Sequence, residues 1–555
     1  MSFTTRAFFC STALNALGPV RQATSKQFHP ESPSRGRIGA PTSSNDGFVS
    51  PAEWSILKEV IVPKTIINQG PLLGCVRLSV IGTMVATLVG CVVGPDYQTP
   101  KTVHLASWAS AKKAERAKPP ELTQWWRKLN DPLLDDLIAQ AIEKNLDVAS
   151  AKARVREARA AYRQQTGALL PTLDGSASTT RSKSKSSDEN TISTEYQIGF
   201  DANWEIDLFG ANRRAAEAAR YSAEAADEDL RDAYVTLIGD VASYYIQARE
   251  YQALIILAGR TARSQRETAS LTRKQQEAGD ATSVDTATAD AQAASTEADI
   301  PSYRISYQHS VHRLSVLLGN TPSALQQLMD KPVQIPSPTY PVNVGIPADV
   351  LHSRPDVRSA ERQLAQYTAK IGQAEAARYP TISLTGDIAS SAASISDLAQ
   401  KSSISWSFGP TISIPLFKGG QLKAAVDVAK AQRDQYFVAY QSAVLSAMED
   451  VENAIVALNQ SQQRRAKLSA SVAAYRQAVQ LAHALNKAGM EDLLDVLESE
   501  RDLYSTEEDL IESKANIATY YVSLHKALGG GWEGNARVEK PAVVDTDTGP
   551  RIASR

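Results

Sequence analysis

Two stretches of the chain, residues 211–277 and 421–487, contain no proline and are dense in alanine, glutamate, arginine and leucine. These residues are strong helix formers, and a proline in a helix interior would remove a hydrogen bond and clash with the preceding turn. At about 1.5 Å per residue, each stretch predicts a helix of roughly 100 Å. No single globular core can bury such an element. It has to belong to an extended assembly in which small residues let helices approach closely; Ala215, Ala216, Ala218, Ala219, Ala223, Ala225 and Ala226 supply them. Each stretch ends at a turn signal, Ala278-Gly279-Asp280 or Ala488-Gly489-Met490, and the chain then returns as a second helix over 284–318 or 493–528. The two turns mark one extremity, and the charges along these helices read as solvated faces.

The two stretches belong to a duplication. Leu170-Pro171-Thr172-Leu173 recurs as Tyr379-Pro380-Thr381-Ile382, and Leu208-Phe209-Gly210 recurs as Leu416-Phe417-Lys418-Gly419. Ala278-Gly279 matches Ala488-Gly489, and Leu318-Gly319 matches Leu528-Gly529. The near-constant spacing predicts an internal two-fold repeat over residues 121–335 and 346–532. Between them, prolines at 332, 336, 338, 341 and 347 cannot continue a helix and form the connector. Each half reads as a helix, two strands, and two long helices.

The strands are expected at about 172–181, 195–204, 381–390 and 404–414. Tyr196, Ile198, Phe200, Ala202 and Trp204 fall on one face, with Gln197, Gly199, Asp201 and Asn203 on the other. Ile382, Leu384 and Ile388 alternate with Thr381, Ser383, Thr385 and Asp387, and Trp406, Phe408, Ile412 and Ile414 alternate with Ser405, Ser407, Thr411 and Ser413. Such alternation also suits a soluble sheet with one buried face. About ten residues is, however, the length of a tilted membrane strand, and strands in lipid must close into a barrel to satisfy their backbone hydrogen bonds. Four strands cannot close; three chains would supply about 12. Segments 182–194 and 390–403 are polar and serine-rich, as outward barrel loops are.

The chain's 555 residues exceed what one hydrophobic core organises. Its 59 basic and 61 acidic residues leave a formal charge of −2, which provides no field for nucleic acid. Apolar residues make up 43%, without the runs of about 20 that helical membrane spans need. Only Cys10, Cys75 and Cys91 are present, so neither a disulfide framework nor a cysteine zinc site can hold the main body. Arg77 precedes an apolar run over 78–90 that closes on Leu88-Val89-Gly90-Cys91. This fits a lipoprotein signal peptide over 77–90 with Cys91 as the lipidated first residue of an extended segment, 91–120. Leu72-Leu73-Gly74-Cys75 is a weaker version, because polar residues precede it. Residues 1–76 read as a non-native extension ahead of the true start, or as a disordered one, and 533–555 as a disordered tail.

Cys91-Val92-Val93-Gly94-Pro95-Asp96-Tyr97, Trp125-Trp126, Arg354-Pro355-Asp356-Val357, Ile414-Pro415-Leu416-Phe417 and the duplication together resemble the TolC-type outer membrane efflux proteins. The resemblance covers about residues 91–532 and is narrowest to the NodT-like lipoprotein branch that serves resistance-nodulation-division pumps. It implies a mainly α fold with a transmembrane β portion: four strands per chain in a 12-strand barrel of a homotrimer, continuous with a long α-helical barrel. It also implies an outer membrane channel, lipid-anchored among outer membrane lipids and extending into the periplasm. Such a channel passively conducts small molecules delivered by an inner-membrane resistance-nodulation-division pump through a periplasmic adaptor, or membrane fusion, protein. The resemblance places a periplasmic gate at Leu494 and Glu498, with glutamate where the family example carries aspartate. It places adaptor-contacting tips at Ala278, Gly279, Asp280, Ala488, Gly489 and Met490.

Two other readings compete: an exit duct for type I protein secretion, and a lipid-anchored coiled-coil scaffold, which leaves the four amphipathic strands unexplained. An enzyme is not expected. No Gly-x-x-x-x-Gly-Lys or Gly-x-Ser-x-Gly motif occurs, and His309 and His312 share a helical spacing without cysteine partners. The expectation is therefore no catalytic residue, no cofactor, no metal and no nucleic-acid partner.

Overall fold

A computed structural model describes residues 92–100, 108–111, 121–186, 189–340, 342–345, 347, 350, 353–535 and 538. These belong to one unit, Leu78–Arg555. Cys91, the signal segment 77–90, residues 1–76 and the tail after 538 lie outside the described residues.

After a short 3-10 turn at Trp125–Leu129, the first half contains α1 (Pro132–Lys144), α2 (Leu146–Gly167), β1 (Thr172–Ser186), β2 (Glu189–Ile206), α3 (Ala211–Ala278) and α4 (Ser283–Leu317). A four-residue turn, α5 (Gln326–Met329), leads into the connector. The second half contains α6 (Pro355–Ala376), β3 (Thr381–Ala392), β4 (Ile404–Ser413), α7 (Gln421–Lys487) and α8 (Leu493–Ala527). At 68 and 67 residues, α3 and α7 are each about 100 Å long.

The helix ends follow from local chemistry. Asp131 caps α1 by accepting the Leu133 and Leu134 N–H groups at 3.1 and 3.3 Å, with Pro132 at the first helical position. The four recurring glycines, Gly279, Gly319, Gly489 and Gly529, all have positive φ and stop the four long helices in the same way. In each, the glycine N–H returns to the carbonyl three residues back and the next N–H to the carbonyl five back, as in Asp280 to Gln275 at 2.8 Å and Met490 to Leu485 at 3.0 Å.

The strands form one antiparallel sheet in the order β1-β2-β3-β4. β1 and β2 both run past the segments expected from alternation. Residues 182–186 pair with 189–193, so most of the polar stretch read as a loop is the outward end of a hairpin. Its serines and threonines carry no apolar signal, yet the backbone ladder continues and the Ser182 and Ser193 hydroxyls lie 2.8 Å apart. Between β3 and β4 the chain makes short 3-10 turns at Ile395–Ala399 and Lys401–Ser403.

Below the sheet, α3 packs between α2 and α6, while α4 folds back on α3, and α8 on both α3 and α7. Among the described helices α7 packs chiefly on α6 and α8, and its Glu452 also accepts the Ala109 and Ser110 N–H groups of the N-terminal segment; on another flank Val438, Leu445 and Val456 recur at intervals of seven and eleven residues and remain exposed. The main core gathers Trp125, Trp126, Tyr234, Tyr245 and Tyr521 around helices of both halves. The halves are also clamped by the N-terminal strand of residues. Buried Arg214 donates to the Val93 and Gly94 carbonyls, each at 3.2 Å, and to Asp96 at 2.8 Å. A Cβ on Gly94 would lie 2.3 Å from the Gly372 Cα, so only a glycine lets this strap cross α6.

Candidate functional site

Register sorts the sheet residues onto two chemically opposed faces, because directly paired residues share a face. Phe200 pairs with Gly175 and Ile388, and Ile388 pairs with Trp406; Trp204 pairs with Leu384. This face also holds Ile198, Phe408 and Ile412, and Trp406 is 75% exposed. On the other face Asp201 lies between Asp174 on β1 and Asp387 on β3, and Asp387 is opposite Ser407, whose hydroxyl donates to it. Among the described residues no helix lies over either face, though the 3-10 turns that follow β3 rest against the far ends of β2 and β3, and the outer edges of β1 and β4 are unpaired. Trp204 Nε1 donates to the Leu169 carbonyl at 3.1 Å, and Phe209 stacks on Tyr379 with ring centroids 4.6 Å apart. These rings mark the base of the sheet.

At the opposite end of α3 and α7 lie the two helical turns. Ala278, Gly279, Asp280, Ala488, Gly489 and Met490 are all exposed. The first hairpin is stitched close to its turn. Thr282 and Asp285 form a capping box, whose donors from Thr282 hold the Asp285 carboxyl below its usual range. Arg273 binds Asp290 at 2.6 Å, and Arg266 forks onto Glu297 at 2.8 and 2.7 Å. The second hairpin is stitched less. Asn486 donates to the Glu491 carbonyl at 3.0 Å, and the first side-chain bridge from α7 to α8 is His483 to Glu500 at 2.9 Å. Buried Glu500 also accepts from Thr268 of α3 at 3.3 Å, with Oε2 left without a partner.

Within the first turns of α8 the leucines separate by face. Leu497 is buried with Ala269 and Ala289, and Leu493 packs beside them. Leu494 points the other way, 59% exposed. Glu498, one turn further along that face, has a 60% exposed side chain and a 3.4 Å ion pair with Arg501. Leu494 and Glu498 thus share an open stripe of α8 just past the turn. The aspartate row and the Arg214 clamp were not recognised in the sequence, because both depend on pairing across segments far apart in the chain. Among the described residues no cluster of His, Cys, Asp or Glu is arranged to hold a metal, and no helix is long and apolar enough to cross a membrane.

With this geometry in hand, the chain can be set beside known proteins. The profile described as "Outer membrane efflux protein" matches residues 137–320 and 346–530. Nodulation protein T of Rhizobium leguminosarum bv. trifolii is 34% identical over 447 residues, 80% of this chain and 95% of that protein. The solvent efflux pump outer membrane protein SrpC of Pseudomonas putida is 33% identical over 455 residues, 80% of this chain and 96% of that protein. The solved outer-membrane channel OprN superposes with a TM-score of 0.76 at 32% identity, covering 80% of this chain and all of that one.

Proposed function

The chain belongs to the outer membrane efflux protein family, and on that footing we propose that it is the outer membrane channel of a tripartite efflux system, working as a closed ring of three copies. The observation that carries the ring is the sheet, open at both edges and with no helix over either face among the described residues. Its two free edges lie in strands that join directly to α2 and α7, the helices at the two flanks of the helical layer. β4 of one copy would pair with β1 of the next, and α7 would pack on the next copy's α2. Three repeats give 12 strands, a size at which membrane barrels are known. The apolar face meets hydrocarbon, and the aspartate and serine face lines a water-filled lumen continuous with a helical tube.

Conduction through such a tube is passive, and the energy comes from an inner-membrane pump, joined through a periplasmic adaptor at the turns around Gly279 and Gly489. The solvent efflux relative favours small-molecule export over protein secretion. Leu494 would meet its two symmetry mates near the axis and discourage wetting, with Glu498 forming a cation-attracting ring above it. Sparse stitching between α7 and α8 leaves that hairpin the freer of the two to move when an adaptor engages. Cys91, immediately before the strap that Arg214 holds, would carry the acyl anchor. Planar-bilayer recording tests the gate: Leu494→Ser should raise basal conductance several-fold over the parent channel, and an unchanged conductance would remove Leu494 from that role.

A further inference from the structure

The apolar face of β1 and β2 does not simply end at its outward limit. Tyr196 pairs with Thr179, and the same face continues through Arg181 opposite Thr194, Lys183 opposite Ile192, and then Lys185. Three cations therefore follow one another at every second residue, spaced about 7 Å along the strand. All three are exposed, and none makes an ion pair among the described residues. Between Leu173 and Thr179, and between Tyr196 and Trp204, this face carries no charge. The acids on these strands fall on the opposite face by register: Glu195 pairs with Thr180, and Glu189 with Ser186.

Height gives the pattern its meaning. The eight steps from Leu173 to Arg181 advance about 27 Å along the strand, or roughly 20 Å along a barrel axis at a tilt near 40°, close to the height of a hydrocarbon band. A cation on the lipid face is strongly disfavoured at the bilayer midplane and nearly free at its rim. The three begin where that cost vanishes, on the side of the sheet remote from the helices, and their long side chains can reach headgroups.

We propose that Arg181, Lys183 and Lys185 form a docking strip for phosphate groups of the glycolipid in the outer leaflet of the outer membrane, one strip per copy. The proposal rests on the reading of the sheet as one third of a membrane barrel. Charge complementarity selects the ligand: an acid-free cationic row at headgroup height suits phosphate-bearing lipid, and arginine adds a fork for phosphate oxygens. A zwitterionic headgroup would satisfy it poorly.

The test uses the full-length channel extracted from outer membrane in mild detergent, with bound glycolipid counted by native mass spectrometry. Wild type should retain glycolipid, and the triple variant R181S/K183S/K185S should retain several-fold less. A second variant, K183S/S184K, keeps the composition but moves one cation to the water side, and should also lose lipid. Equal retention by the variants, or equal retention of enzymatically dephosphorylated glycolipid by wild type, overturns the proposal. So does stripping of lipid by millimolar inorganic phosphate, which would make the strip a general anion site. Bilayer conductance and a heat-dissociable trimer report on the barrel separately: their absence in wild type would overturn the barrel reading, whereas their persistence in variants that keep their lipid would overturn the strip alone.

Discussion

At the scale of single residues, the buried polar groups show where the helical layer carries strain. Glu250 on α3 sits in a partly buried position facing Glu512, and burial followed by that like charge pushes its carboxyl up to about 7. Below about pH 4.5 the group is protonated in folded and unfolded chains alike and has no effect on stability. As pH rises from there to about 7, the unfolded chain gives up the proton first, and folding stability declines. Glu250→Gln should therefore stabilise the protein at pH 8, by on the order of 2 kcal/mol, with no difference at pH 4.5. Thermal dissociation followed at both pH values checks this, and an equal gain at both would assign the effect to packing instead. Buried His525 has the opposite dependence. Stacked on Trp125 at 5.0 Å, it is held neutral to about pH 4 by desolvation, so it favours the unfolded chain only as pH falls below its ordinary range.

At the scale of elements, the sheet joins a visible pattern to a hidden one. Alternation exposes the apolar face to anyone reading the chain, but the row Asp174, Asp201 and Asp387 exists only through register. Like charges directly opposite each other oppose pairing, a cost that water and mobile cations would relieve on the proposed lumen face. Replacing the three by asparagine should move the reversal potential toward zero in a tenfold salt gradient, the sign of lost cation preference, and should slightly raise thermal stability. An unaltered reversal potential would place the row away from the conducting path. The long helices were legible because proline-free runs and recurring glycines are local signals, and each glycine supplies the positive φ of a helix stop. The outer ends of β1 and β2 were not, because their serines, threonines and lysines are held by ladder hydrogen bonds rather than by buried side chains. Pro301 is the converse case: it lies inside α4 without ending it, since packing against α3 keeps the helix running. At the turns, the family resemblance singled out Leu494, but only packing shows that Leu493 and Leu497 serve the opposite side.

At the scale of the whole molecule, the duplication locates contacts that a single copy lacks. Phe209 of the first half stacks on Tyr379 of the second. Its counterpart Phe417 has no such partner and is 89% exposed, beside Leu416 at 90%. The counterpart of Tyr379 is Leu170, itself 65% exposed. If each half meets the next around a ring of three, Phe417 should rest on Leu170 of the neighbouring copy. With Cys10 and Cys75 replaced and Cys91 kept for its acyl group, Leu170→Cys combined with Phe417→Cys should give covalent trimers on oxidation, and each single variant should not. Dimers or open ladders in place of a species that stops at three would exclude a closed ring.

The unpaired edge of β4 has a further consequence. Within one copy, β1 and β2 are set in phase by their hairpin, but in the proposed ring of three the seam between copies would have no turn to count residues, and a slip of one would put aspartates into oil and aromatics into the passage. The rigid gauge in that ring would be the flank of α7 against the next subunit's α2, a shaft far longer than the strands it would steer. Assembly then resembles clamping three staves by their handles before the rim is sealed, with the shafts deciding the alignment of parts they never touch.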